Sequence, residues 1–233
     1  MGKAFDFTLI LDFIPKLLSY LHITLFILVF SILLGIVIGF MIAIPRIYKI
    51  PGLNRAAILF VSFMRGTPII IQLFLIYYGL PAILQVVGVD ITRMNPMNFV
   101  IITYALSSGA TFSEIIRGSV ASVEKGQEEA AYSIGMNKRQ TFYRIILPQA
   151  LLIAFPNFGN SVIGFLKDTS LAFTIGVMDM LGRGDTLIAA TAHALEVYIS
   201  LSIIYYIIAI LLEKVFKKSE IHLQRYDHGI AAN

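Results

Sequence analysis

The chain has 233 residues, of which 58% are hydrophobic and only 14% charged, with a net charge of +4 and no cysteine. A soluble domain carries about 25% charged residues, so this composition excludes an ordinary water-soluble fold and points to an integral membrane protein. The missing cysteines exclude disulfide and thiolate chemistry, and the basic residues form no clustered face of the kind nucleic acid requires, which excludes that partner as well.

At the N-terminus Asp6 and Asp12 stand beside Lys3 and Lys16, which makes no basic leader, and the apolar run that follows is too long for a signal-peptide core, so no cleavage is expected. Charge-free runs at Leu17–Pro45, Gly66–Val89, Met94–Ser113 and Ile145–Leu166 each reach or exceed the roughly 20 residues that cross hydrocarbon. A fifth, near Ala190–Leu212, is interrupted only by Glu196, and its Tyr198, Tyr205 and Tyr206 suit interfacial or bundle-facing positions. The reading is a single all-α membrane domain over residues 1–233, with spans at about 17–45, 56–82, 98–123, 145–167 and 190–213 and a loop at 124–148 between the third and fourth. The short apolar run Thr169–Met178 is read as a re-entrant or outer helix, because a sixth crossing would place Lys214, Lys217 and Lys218 outside.

Five spans put Arg46, Lys49, Arg55, Arg117, Lys125, Lys138, Arg139, Arg144, Lys214, Lys217, Lys218 and Arg225 on one side, and only Lys3, Lys16, Arg93, Lys167 and Arg183 on the other. The positive-inside rule makes the first side cytoplasmic, with the N-terminus outside and the C-terminus inside.

Several ionisable residues fall within or at the ends of spans. Arg65-Gly66-Thr67-Pro68 lies about ten residues into the second, where Gly and Pro can interrupt the helix, and Arg65 either finds a partner or water, or snorkels to the inner interface. Glu114 and Arg117 stand one turn apart; they either pair with each other or serve gating and the binding of charged substrate groups. Lys167-Asp168-Thr169-Ser170 offers donors and an acceptor of the kind a zwitterion needs, although a Lys-Asp neighbour pair at an interface also neutralises itself. Glu196, with His193 three residues before it, is an intramembrane acid and so a functional candidate. Met178-Asp179-Met180 is expected to pack.

The long polar stretch Glu128–Ala150 has its own logic. Gln127–Ile134 reads as a short helix with Ala130, Ala131 and Ile134 on an apolar face, and Gly135 fits the left-handed position that ends it. Asn137 suits the next N-cap with Gln140 three residues on, and a second helix runs through Phe142, Ile145 and Ile146 to Pro148. Two short helices at a fixed bend either connect spans or lie in a groove of a partner.

Glu129-Ala130-Ala131, Gly135, Ile145, Leu147 and Pro148 match at every spacing the EAA loop of permease subunits from bacterial ABC importers. The stretches "FMRGTPIIIQLFLIYYGLP", "EIIRGSVASVEKGQEEAA" and "LKDTSLAFTIGVMDM" resemble the polar amino acid uptake branch of that family, and the last, followed by "GRGDTLI", is similar to permeases for L-cystine and related sulfur amino acids. The resemblance implies a membrane subunit that pairs with itself or a paralogue in the bacterial plasma membrane. It implies an extracytoplasmic binding protein that delivers substrate, and a separate ATP-hydrolysing subunit into which the loop docks. ATP and magnesium would be used by that subunit, with no cofactor held by this chain.

No Walker A loop, HExxH helix or GxSxG elbow is present, and His22, His193, His222 and His228 have no metal-site spacing. The rival readings are an ion-coupled secondary transporter with no ATPase partner, which the EAA loop argues against, and a membrane-embedded enzyme, for which no paired catalytic groups at one depth are evident.

Overall fold

A computed structural model describes residues 4–231, with side chains described through residue 223. Lys3 and the side chains of Arg225 and His228 lie outside the described residues. Every regular element among them is helical.

Helix α1 (Phe7–Leu18) is capped by Asp6, whose carboxylate accepts from the Thr8 hydroxyl at 2.6 Å and the Thr8 N–H at 2.9 Å; those bonds hold its pKa below the usual carboxylate range. The chain turns at Ser19-Tyr20, so the first span is α2 (Leu21–Ile47) and begins four residues later than the apolar run suggests. The second span is also shifted. Residues 53–66 form a separate helix, α3 (Leu53–Gly66), and the membrane-length helix is Ile69–Val86, made of α4 (Ile69–Phe74), a π-helical turn (Leu75–Gly79) and α5 (Leu80–Val86). The break comes from Pro68, which drives Thr67 out of the helical region to φ −114°, ψ 143°. Buried Gln72 takes up the loose ends, donating to the carbonyls of Met64 at 2.6 Å and Thr67 at 3.0 Å. Interrupted helices at membrane depth need such substitutes for lost backbone bonds.

Helix α6 (Pro96–Ser122) forms the third span and the centre of the bundle, packed on α2. The two approach very closely: a Cβ at Gly35 would lie 2.0 Å from Ser108 Oγ, and one at Gly109 would lie 2.5 Å from Ile38 Cγ2. Between membrane helices there is little hydrophobic drive, and small residues that let backbones approach supply the attraction instead.

After α7 (Lys125–Ser133) and α8 (Lys138–Thr141), a π-helical turn (Phe142–Ile146) leads straight into α9 (Leu147–Asp168), giving one uninterrupted rod from Lys138 to Ile175. The second loop helix therefore does not stop at Pro148, and no helix boundary falls at residue 145. Pro148 sits in the first turn of α9, and the wide π turn before it accommodates the missing donor and the ring's clash with the carbonyl of Arg144. A second π turn precedes Leu80-Pro81 in the same way.

Thr169–Ile175 is a 3₁₀ continuation of α9, ended by Gly176 at φ +88°. It is not an independent helix; the separate short helix before the last long one is α10 (Met180–Thr191). Asp179 caps α10, accepting from the Gly182 N–H at 2.9 Å, and is fully buried, which pushes its pKa up to about 6. Met180 packs as expected, while Met178 stays exposed. Ala192, at φ +62°, ends α10, so the fifth span starts at Ala194 and not at 190, as α11 (Ala194–Ala231). Phe13 and Leu17 of α1 join Met180, Leu187, Val197 and Leu201 in a core that ties the N-terminal helix to α10 and α11.

Candidate functional site

The ionisable residues singled out in the sequence separate into three places. Glu114 on α6 joins Arg117 one turn on and, across the helix pair, Arg46 of α2 at 2.6 Å, with only 10% of the Arg46 side chain exposed. Glu114 is thus both paired within its helix and bridged to the next. It also lines an open cleft of about 550 Å³ between α3, α6 and α9, together with Arg65, Thr111, Ser119, Ser122, Asn157, Asn160 and Ser161. Arg65 is exposed at the end of α3, where the helix break leaves it facing this cleft.

Lys167, Asp168, Thr169 and Ser170 lie apart from the cleft. Both hydroxyls bond back into their own helix, Thr169 to the Leu166 carbonyl and Ser170 to the Lys167 carbonyl, each at 2.7 Å, so their protons are already committed. The Asp168 carbonyl accepts from the Tyr104 hydroxyl at 2.7 Å. Glu196 is elsewhere again: it is buried, bonded to His193 Nδ1 at 2.9 Å, and accepts the Asp6 N–H at 2.9 Å. That geometry fastens the start of α1 to α11.

Asn157, Asn160, Ser161 and Arg46 were not singled out in the sequence. The first three recur at i, i+3 and i+4 in an otherwise apolar span, a polar stripe that periodicity can find. Arg46 pairs across helices, and nothing in one dimension links it to Glu114.

The loop of α7 and α8 stands apart from all three. Gly135 sits at φ +83°, with its N–H on the Tyr132 carbonyl at 3.0 Å and the Met136 N–H on the Ala131 carbonyl at 3.1 Å. This is the two-bond pattern that ends a helix through a left-handed residue. Asn137 and Gln140 close a capping box over the start of α8. Of the apolar face, only Ala131 is buried; Glu129, Ala130 and Ile134 are exposed, Ile134 at 76%. Ile145 and Leu147 are half-buried and Pro148 is exposed. Glu128 accepts from the Tyr132 hydroxyl at 2.6 Å, which raises the pKa of that phenol.

Residues 35–218 match the family model described as the binding-protein-dependent transport system inner membrane component. The chain belongs to this family. The permease is 55% identical over 225 residues to the L-cystine transport system permease protein TcyL of Bacillus subtilis, covering 97% of this chain and 94% of that one. It is 34% identical to the glutamine transport system permease protein GlnP of Escherichia coli, over 93% and 96% of the two chains. Among solved structures, the permease resembles a chain of an amino acid ABC transporter with histidines, with a TM-score of 0.85 and 29% identity over 94% of its length and all of the other. It is therefore a multi-pass membrane component of an ABC importer. As a transport subunit it is not itself an enzyme, and ATP hydrolysis lies in a separate subunit. Nothing in the family supports the ion-coupled alternative.

Proposed function

We propose that the permease imports L-cystine or a closely similar polar amino acid, delivered by an extracytoplasmic binding protein and driven by an ATP-hydrolysing partner. The observation that carries the substrate is the 55% identity to an L-cystine permease along nearly the whole of both chains. In this reading the cleft of Arg65, Glu114, Asn157 and Asn160 is the inner part of the translocation path. The Arg65 guanidinium meets the substrate carboxylate, the asparagine carbonyls meet its ammonium, and Arg46 and Arg117 hold the Glu114 carboxylate in place. Lys167 and Asp168 remain available as charged contacts at the end of α9, and Glu196 acts through the fold.

Glu129, Ala130, Ala131, Gly135, Ile145, Leu147 and Pro148 form the surface that docks on the ATPase. The exposed Ile134 beside a rigid, doubly bonded bend supports this, since a connector alone has no use for it. Because α8 runs into α9 without a break, a shift of the docked loop would move the fourth span as one lever. The N-terminus faces out and the C-terminus the cytoplasm, following the twelve-to-five split of basic residues. The permease pairs with itself or a paralogue and holds no cofactor of its own.

The test is uptake of labelled L-cystine by cells lacking this gene and any parallel cystine system, with and without the gene restored. Restored uptake that cystine analogues inhibit and glutamine does not supports the reading. Unchanged cystine uptake on deletion and restoration overturns the substrate.

A further inference from the structure

Helix α11 runs unbroken from Ala194 to Ala231. About 20 residues at 1.5 Å each span the roughly 30 Å of hydrocarbon, so a helix entering at Ala194 leaves the apolar layer near Glu213, and its next turns lie at headgroup depth. There Lys214, Lys217, Lys218, Ile221 and His222 line a surface cleft of about 470 Å³. Their spacing of i, i+3, i+4, i+7 and i+8 places all five on one face. The acids of the same turns, Glu213 and Glu220, line a different groove, against Pro156 and Asn160 of α9, with Lys217 on the border. Among the described residues, no hydrogen bond or ion pair engages Lys214 or Lys218. Like charges at these spacings repel, and the fold leaves that cost standing.

Toward the membrane centre, on the side of the helix that carries Lys214 and Lys218, Ile207 and Leu211 are 51% and 56% exposed. The order along this face, apolar and then cationic, is the order of an acyl chain and its phosphate. We infer that this face binds an anionic phospholipid, its phosphate held among Lys214, Lys217 and Lys218 and its chain lying along Ile207 and Leu211. A zwitterionic lipid offers the same phosphate but brings a cation into a cluster of cations, so the site selects net negative charge.

Native mass spectrometry of the full-length chain in neutral detergent tests this, with phosphatidylglycerol, phosphatidylcholine and glycerol phosphate added at matched concentrations. Wild type should retain phosphatidylglycerol well above the other two. The triple variant K214Q/K217Q/K218Q should bind it on the order of 10–100-fold more weakly, given about one tenfold step or less per surface lysine. The arginine variant K214R/K217R/K218R should restore retention, and E213Q, which removes a neighbouring negative charge, should not weaken it. Equal retention of phosphatidylglycerol by wild type and the glutamine variant overturns the inference, as does equal retention of phosphatidylcholine. Glycerol phosphate binding as tightly as the lipid would make this a free-phosphate site instead. A glutamine variant that keeps the lipid but no longer holds the ATP-hydrolysing partner would make the face a protein interface. The measurement needs no transport, so its outcome is separate from that of the cystine test.

Discussion

Where α2 crosses α6, Gly35, Gly39 and Gly109 leave no room for a Cβ, whereas at the bend between α7 and α8 nothing lies within 4 Å of one built on Gly135. The first set is required by the neighbours and the second by its own backbone, at φ +83°. The difference separates two tasks. A pair of membrane helices is held by close approach, so a side chain added there attacks stability. The loop is held by caps and a left-handed turn, so a side chain added there attacks shape.

The largest effect should come from Gly35→Leu, which drives a branched chain into Ser108 and should cost on the order of 3 kcal/mol or more. The expected result is little monodisperse protein in detergent. Gly35→Ala brings a Cβ to 2.0 Å from Ser108 Oγ; the second change Ser108→Gly removes that atom and should recover much of the lost melting temperature. Failure of Ser108→Gly to recover any would mean the crossing is not what holds the pair.

Next in size is Glu114→Gln, at the end of the same helix pair. It leaves Arg46, nearly buried, without its carboxylate at 2.6 Å. The cost should be about 2 kcal/mol, below that of a fully buried pair because 23% of the Glu114 side chain remains exposed. Thermal melting reads the loss, and Glu114→Gln with Arg46→Met should be milder than Glu114→Gln alone. Gly135→Val comes third, with about 1 kcal/mol of backbone strain and no clash. It should purify and melt almost as wild type does.

The smallest effect is a pH dependence at Asp179. Burial raises its pKa from 3.8 to about 6, so the folded chain binds the proton more tightly than the unfolded one. Its contribution to stability is full below pH 3.8 and is lost as pH rises through about 6. Asp179→Asn keeps a capping oxygen but has nothing to titrate, so the difference in melting temperature between pH 5 and pH 7.5 should shrink. An unchanged difference would assign that titration elsewhere.

The existence of the five spans was legible because unbroken apolar runs of that length have few other uses. Their boundaries were legible only where a strong breaker stands alone. Pro68 and Pro148 look alike in sequence, yet one splits a helix and the other is absorbed by a π turn, a choice made by what surrounds each ring. Helix α1 was missed because Asp12 and Lys16 dilute a short amphipathic pattern that only packing against Val197 and Leu201 completes. Helix α10 was missed because Gly182 and Gly184 lower its propensity, while close contact with Phe173 and Leu201 requires them to be small. In the cleft, Arg65 and Glu114 announced themselves as charges in an apolar setting, but their meeting with Asn157 and Asn160 depends on α3 and α9 lying beside α6.

The claim that matters most is that the loop shapes transport and not the fold, and the most direct measurement is L-cystine uptake with ATP hydrolysis in proteoliposomes holding the complete importer with Gly135→Val. The expected result is a normally assembled complex in which uptake is lost or no longer tied to hydrolysis, with Gly135→Ala milder in the same direction. Uptake by Gly135→Val at the wild-type rate, per molecule of ATP hydrolysed, would contradict it.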